Sequence, residues 1–229
     1  MGGPNSRKVV VSFERREFLK LLGLSASATA LGPISAVWVD DDLYVNRRLG
    51  LRLRKPRDWH FLSLREMTAL RDEQQLVCSD SELLQELRDA MGLPLITMSK
   101  SIGDDQTCPQ VHVWVQPNDD EDFPVAETHY LTYSEVYAPL LRDFSFEESP
   151  RLVSFIGQEA SQCIVRFTYE GTGGVKEPVR LRSIFFRRGN VSYTINMGGK
   201  ADRGWDDDVV VAFESVLASV EFISSPIVV

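Results

Sequence analysis

The sequence predicts an α+β domain built in layers and preceded by a separate N-terminal segment. Segments with apolar residues at helical spacing stand near both ends of the chain, and between them alternating apolar and polar residues predict mainly antiparallel strands. The 229 residues are 43% hydrophobic and 10% aromatic, which is enough for one substantial core. We therefore expect one domain.

The N-terminal segment, residues 1–36, has the order of an export signal. A positively charged start is followed by a moderately apolar stretch and then by small residues ending at Ala36. Five residues define its core motif: Arg15, Arg16, Phe18, Leu19 and Lys20. This motif resembles the twin-arginine signal, although Glu14 stands where Ser or Thr usually precedes the pair. The alternative, an amphipathic helix retained on the domain, fits less well because the segment has no clear polar face.

The rest of the chain is divided by composition. We expect an acidic linker at 37–47, the domain at 48–224 and a short tail at 225–229. The predicted elements of the first half are a strand at Leu49–Arg54, helices at Ser63–Leu76 and Asp80–Met91, strands at Leu95–Lys100 and Val111–Gln116, a loop at Pro117–Pro124 and a helix at Thr132–Phe144 that Pro139 restricts or kinks.

The second half is predicted to be rich in strands from Leu152 onward. Its elements are strands at Cys163–Tyr169, Val179–Arg187 and Val191–Met197, and a helix at Asp206–Ser219 with an acidic first turn. Gly189 and Asn190 predict a tight hairpin between the last two strands.

Two stretches, LRLRKPRDW and Leu181–Phe222, together resemble the PsbP-like family of exported accessory proteins. The sequence LRLRKPRDW is similar to the family's opening strand, and Leu181–Phe222 is similar to its ending: strand, RGN turn, strand, charged bend before Trp205, helix and short strand. The resemblance implies an αβα sandwich, with helices on both faces of a central antiparallel sheet. It also implies docking onto larger assemblies, but it implies no residue-level site.

Charge and motifs exclude several functions. The net charge is −8, and residues 1–36 hold five Lys or Arg and two Asp or Glu, so the remainder carries −11. Such a body repels nucleic acid, and we expect no nucleic-acid partner. The sequence has no GxSxG, HExxH, P-loop or GxGxxG motif, and Gly171–Gly174 is typical of a loop. We therefore predict a non-catalytic protein without a cofactor.

Cysteine and histidine residues leave two weaker alternatives open. A divalent-ion site could combine His112, His129 and the carboxylates at 119–122, although their spacing is not that of an EF-hand. A Cys-His pair would have to use one of three cysteines: Cys78, Cys108 or Cys163. We expect Cys163 to lie in the core of a strand, and we assign no metal or catalytic residue.

Five arginines form a candidate patch for an anionic ligand or partner: Arg166, Arg180, Arg182, Arg187 and Arg188. They would converge if their strands are neighbours, and a local basic patch would stand out on an acidic body. The alternative is a solvated sheet face, or arginine stems that cover apolar surface.

Three functions remain after these exclusions. The favoured hypothesis is an exported accessory protein that docks onto an envelope or membrane complex, with the twin-arginine translocase as a transient partner. The second is a module that holds a small ligand or a divalent ion beside the sheet, and the third is an enzyme.

Replacing Arg15 and Arg16 together by Lys should keep the precursor in the cytoplasm, because the twin-arginine route reads the guanidinium pair and not charge alone. Cell fractionation of a C-terminally tagged chain measures this outcome. A double-Lys precursor exported as efficiently as wild type would contradict the assignment.

Overall fold

The computed structural model describes residues 37–73, 92–101, 107–118, 123–171, 174–201 and 205–223. In this part of the chain the strands are β1 (Val37–Asp40), β2 (Leu43–Asn46), β3 (Leu51–Arg54), β4 (His60–Phe61), β5 (Ile96–Ser99), β6 (Gln110–Pro117), β7 (Arg142–Phe155), β8 (Gln158–Glu170), β9 (Lys176–Arg188), β10 (Val191–Lys200) and β11 (Glu221–Phe222). The helices are α1 (Leu64–Glu73), α2 (Val125–Leu131), which continues as a π-helix (Thr132–Tyr137), and α3 (Asp207–Ser219).

The strands form two antiparallel sheets. The large sheet has seven strands in the order β4-β5-β6-β10-β9-β8-β7, and the small sheet has four in the order β1-β2-β3-β11. The predicted α+β class is therefore confirmed. The small sheet adds a feature that the sequence pattern did not predict, because two of its strands lie in the predicted acidic linker.

One face of the large sheet, here called the α3 face, packs against α3 and the small sheet. Its core includes Phe186, Tyr193 and Ile195 from the large sheet, Leu53 from the small sheet and Phe213 from α3. Phe186 stacks on Tyr193 with ring centroids 5.1 Å apart. Burial of these side chains attaches both the helix and the small sheet to the same face.

The opposite face, here called the α2 face, packs against α2 and its π-helical continuation. Cys163, Val165 and Phe167 of β8 form a second core there with Tyr133 of the π-helix. Because side chains alternate along a strand, residues of β9 next to Phe186 point to this face instead. Helices thus cover both faces of the large sheet, in agreement with the expected αβα order.

The structure confirms the predicted starts of two helices and the predicted hairpin turn between β9 and β10. At α1, Ser63 and Glu66 form the predicted capping box, in which the Ser63 backbone N–H donates to the Glu66 carboxylate at 2.7 Å. At α3, the Asp206 carboxylate accepts from the Val209 backbone N–H at 3.0 Å. The hairpin between β9 and β10 turns at Gly189, whose φ is +57°.

Two segments differ from the prediction. Residues 37–46 form a β-hairpin of the small sheet and not a linker, because Tyr44 packs into the core while Asp41 and Asp42 occupy the turn. The predicted helix at Thr132–Phe144 is displaced, because the observed helix begins at Val125 and ends at Tyr137. Residues 142–144 belong to β7 and not to a helix, since Phe144 and Phe146 alternate with polar or charged residues and pack on Tyr133. The predicted helix at Asp80–Met91 lies outside the described residues.

None of the helices in the described parts of the chain is long and apolar enough to cross a membrane.

Candidate functional site

The α2 face of the large sheet is polar where β6, β8, β9 and β10 present hydroxyl, amide and imidazole groups. His112 alternates with Val111 and Val113, and Ser183 alternates with Ile184, so each polar side chain points away from the apolar core of the α3 face. The helix layer above this face does not fill it completely. The hydrogen-bonded side chains of His129, Ser161 and Ser183, here called the plug, occupy one part of this face. A cavity occupies another part.

The plug is centred on His129 of α2, which is 1% exposed. Its Nδ1 lies 3.0 Å from Ser161 Oγ, and its Nε2 lies 3.0 Å from Ser183 Oγ. A neutral imidazole donates with one nitrogen and accepts with the other, and each hydroxyl can take the complementary role. Both ring nitrogens are therefore satisfied without a charge on the ring.

Cys163 lies beside the plug, with its Sγ 3.6 Å from His129 Nε2. This is the one Cys-His pair that the described residues bring together. Burial raises the pKa of the Cys163 thiol to about 12 and lowers the pKa of His129 to about 3. An activated nucleophile needs a thiolate or a base that titrates near the working pH, so at neutral pH this pair stays as neutral thiol and neutral imidazole. The geometry supports a structural role.

The cavity has a volume of about 210 Å³ and lies between the sheet, α1 and the π-helix. Its sides include five aromatic residues: Trp114, Tyr133, Tyr137, Phe167 and Tyr169. A concave space of this size, bordered by aromatic side chains and a few polar groups, marks a candidate binding site.

The floor of the cavity, which the sheet forms, and the π-helix above it carry polar side chains that are already oriented. His112 Nδ1 lies 2.9 Å from Thr97 Oγ1. The Tyr133 hydroxyl donates to Asn196 Oδ1 at 3.2 Å. Burial lowers the pKa of His112 to about 4 and raises that of Tyr133 well above its ordinary value, so both groups are neutral at pH 7. The site therefore offers dipoles and hydrogen bonds rather than charge.

The π-helix supplies two of the aromatic walls. The Ala138 backbone N–H donates to the Tyr133 carbonyl at 2.8 Å, which is the five-residue spacing of a π-helix. Tyr133 and Tyr137 are in contact, with ring centroids 5.2 Å apart, and both border the cavity. Short π-helical stretches are frequent at functional sites because they reposition side chains at a cost in helix stability.

The structure separates the five arginines of the candidate patch. Arg166 of β8 pairs with Arg180 of β9, and both lie on the α3 face of the large sheet. Arg182 lies two residues further along β9 on the same face. Arg188 is on this face but at the far end of β9, where its Cζ lies 4.3 Å from the Phe222 ring centroid. Arg187 points to the opposite face and donates to the Phe123 carbonyl and to Thr128 Oγ1.

The arginines that do lie together have acidic neighbours. Arg180 forms an ion pair with Glu147 at 2.6 Å, and its Cζ lies 4.6 Å from the Trp205 ring centroid. Arg182 forms an ion pair with Glu214 at 2.5 Å. These two carboxylates reduce the local positive charge. The Arg180 side chain, stacked on the Trp205 ring, covers apolar surface. Binding of an anion or a partner by this patch stays a prediction.

The remaining candidates fall partly outside the described residues. The signal residues Arg15, Arg16, Phe18, Leu19 and Lys20, the acidic residues 119–122 and Cys78 all lie there. Among described residues, no group of three His, Cys, Asp or Glu side chains could hold a metal ion. His112 and His129 instead bond to hydroxyl groups.

Sequence reasoning missed the cavity and the plug. The available signal was Ser161 and Ser183, which interrupt apolar strands on one face, together with the Tyr133–Tyr137 pair. Nothing in the spacing showed that His129 would meet two serines from different strands.

No family model matches this chain, and neither does any curated protein sequence. Solved structures that match this chain include cyanobacterial PsbP from Synechocystis, at 14% identity with a TM-score of 0.47, covering 84% of this chain and 99% of that one. LpqN of Mycobacterium tuberculosis, described as involved in cell envelope biogenesis, gives 13% identity and a TM-score of 0.43, covering 74% and 81%.

The Ran-binding protein Mog1p of Saccharomyces cerevisiae is a third neighbour, at 10% identity with a TM-score of 0.42, covering 76% of this chain and 90% of that one. All three TM-scores are below 0.5. They assign this chain no family, activity or partner.

We expect stability to fall with decreasing pH between about 6.5 and about 3 because of His129, with a further contribution of the same sign from His112 between about 6.5 and about 4. In this window the folded His129 imidazole resists protonation, since burial lowers its pKa to about 3, whereas the unfolded histidine has its ordinary value of 6.5. The unfolded state then binds more protons, and the stability that is complete above pH 6.5 is lost as pH falls. Urea denaturation across this range measures the slope.

The His129→Gln variant should be less stable near neutral pH, by about 1–3 kcal/mol, and should have a shallower slope. His60→Gln, at an exposed position, is the matched control and should keep the wild-type slope. A wild-type slope in His129→Gln would contradict the buried neutral imidazole.

Proposed function

We propose that this chain is an exported, non-catalytic accessory protein that docks onto a protein complex at the cell envelope. The resemblance of Leu181–Phe222 to PsbP-like proteins supports an accessory role, and the motif at Arg15 and Arg16 supports export. The structural observation that carries the docking proposal is the edge strand β1.

Strand β1 is apolar and exposed at the edge of the small sheet. Val37, Trp38 and Val39 are 39%, 49% and 50% exposed. Within the described residues β1 pairs only with β2, so its outer edge presents backbone N–H and C=O groups without a strand partner. An open edge with apolar side chains is a template for strand addition.

The edge strand β7 of the large sheet shows the contrasting pattern. It contains Pro150 and several register shifts, and charged residues such as Glu147, Glu148 and Arg151 line it. Proline, bulges and charges are the devices that prevent an edge from pairing with another chain. Only Asp40 at the end of β1 provides such protection there. The contrast favours β1 as the docking edge.

The partner that fits β1 is an extended segment of an envelope protein with apolar side chains. Such a segment would extend the small sheet by backbone hydrogen bonds and bury Trp38. An aromatic side chain of this size contributes strongly when a partner covers it. The predicted export signal immediately precedes β1 in sequence. The docking edge would therefore be the first element of the domain after the signal.

The Val37→Lys/Val39→Lys variant should lose its cross-linked partner in cells. Lysines on an edge oppose strand addition, while exposed substitutions should change the free energy of unfolding by no more than about 0.5 kcal/mol. Tagged chains are cross-linked in cells, purified, and the partner band is quantified against wild type.

The matched control is Val175→Lys/Val211→Lys, which places two lysines at exposed valines elsewhere, 52% and 66% exposed. We expect this control to keep the partner. A partner retained by the β1 variant, or lost equally by both variants, would overturn the proposal.

A further inference from the structure

The cavity on the α2 face is separate from the docking edge. The edge strand β1 belongs to the small sheet, which packs on the α3 face through Tyr44 and Leu53. The cavity is bounded instead by α1, the π-helix and the opposite side of the large sheet. A ligand bound there would use none of the residues that carry the docking proposal.

We propose that this cavity binds a small, uncharged aromatic molecule that carries a hydrogen-bonding group. Its size follows from the volume of about 210 Å³. Benzene, with six carbon atoms, occupies an engineered cavity of about 150 Å³, so the present cavity suits roughly eight to ten non-hydrogen atoms. Indole and substituted phenols have this size.

The walls select an aromatic shape. Trp114 on β6 and Phe167 on β8 belong to the sheet, whereas Tyr133 and Tyr137 belong to the π-helix above it. The two sides therefore offer ring surfaces to a planar molecule, and aromatic rings gain from offset-stacked and edge-to-face contacts beyond the area that they bury.

The polar groups select an uncharged molecule. Arg71 is the one charged side chain among the described residues that line the cavity, and it forms an ion pair with Asp72 at 2.9 Å. His112, Asn196 and the Tyr133 hydroxyl are dipolar. A bound carboxylate would lose its hydration without meeting a cation that is not already paired. A neutral N–H or O–H group needs only one hydrogen bond to one of these polar side chains.

Glycine on the floor keeps the space open. Gly198 lines the cavity two residues along β10 from Asn196, so a side chain there would point to the same face. A Cβ at this position would lie 3.4 Å from the Arg180 carbonyl oxygen and 3.6 Å from Leu181 Cδ1, which are ordinary contacts. A Cβ therefore meets no backbone clash at this position, and we expect the two methyl groups of valine to extend from it into the cavity.

The test is titration of the full exported chain with indole and with phenol, followed by two-dimensional NMR and by the shift in thermal midpoint. We expect saturable binding of both probes, with resonance changes at Tyr133 and Tyr137 and a midpoint that rises with probe concentration. Cyclohexanol tests the aromatic requirement, and indole-2-carboxylate tests the requirement for neutrality. Each should bind at least tenfold more weakly than indole.

The Gly198→Val variant should weaken indole binding at least tenfold. Ser154→Val, which adds the same side chain on the exposed part of strand β7, is the matched control and should bind as wild type does. If Gly198→Val does not fold, nuclear Overhauser contacts between indole and the Tyr133 and Tyr137 rings in the wild type decide the location.

Three results would overturn the proposal: absence of saturable binding of indole and phenol by the folded wild-type chain, binding with contacts elsewhere, or undiminished binding by a folded Gly198→Val variant. Binding of cyclohexanol or of the carboxylate within tenfold of the affinity for indole would overturn the proposed ligand class. None of these results bears on docking through β1.

Discussion

The register between β9 and β10 is the constraint on which the rest of the structure depends. Phe186 pairs with Tyr193 and Ser183 pairs with Asn196, which places aromatic rings on the α3 face and polar groups on the α2 face. A shift by one residue would exchange the two faces, because side chains alternate along a strand. The turn at Gly189 and the stacked pair of rings hold this register.

The two faces then acquire different physical roles. On the α3 face, Phe186, Phe213 and Leu53 of the small sheet share one buried core, and β1 lies at the outer edge of the small sheet. On the α2 face, a buried hydrogen-bond plug and a cavity lie under helices that do not fill the space. One sheet thus separates a proposed docking edge from a proposed ligand site.

Much of this fold could be predicted from the sequence, because local patterns determine it. The alternating valines of β6, the Ser63–Glu66 capping box and the Gly189–Asn190 turn each act over a few residues. The small sheet could not be predicted in this way, since β1 and β2 are short. In addition, β11 pairs with β3 although the paired residues Arg52 and Glu221 are 169 positions apart in sequence.

The candidate site was less predictable for the same reason. His129 meets Ser161 and Ser183 only after β8, β9 and α2 have packed, and the cavity is a property of what the packed helices leave empty. The arginine patch is the opposite case, because the sequence predicted a cluster that the structure divides. Sequence placed five arginines on neighbouring strands, but strand alternation sends Arg187 to the other face, and carboxylates from β7 and α3 pair with Arg180 and Arg182.

The most direct measurement of the central claim is site-specific photo-cross-linking in living cells, with a photoreactive residue at position 38 or, as a control, at position 211. We predict a discrete adduct with an envelope protein from position 38 only, and only when the Arg15–Arg16 pair is intact. Equal adducts from both positions, or no adduct from position 38 in a folded exported chain, would contradict docking through β1.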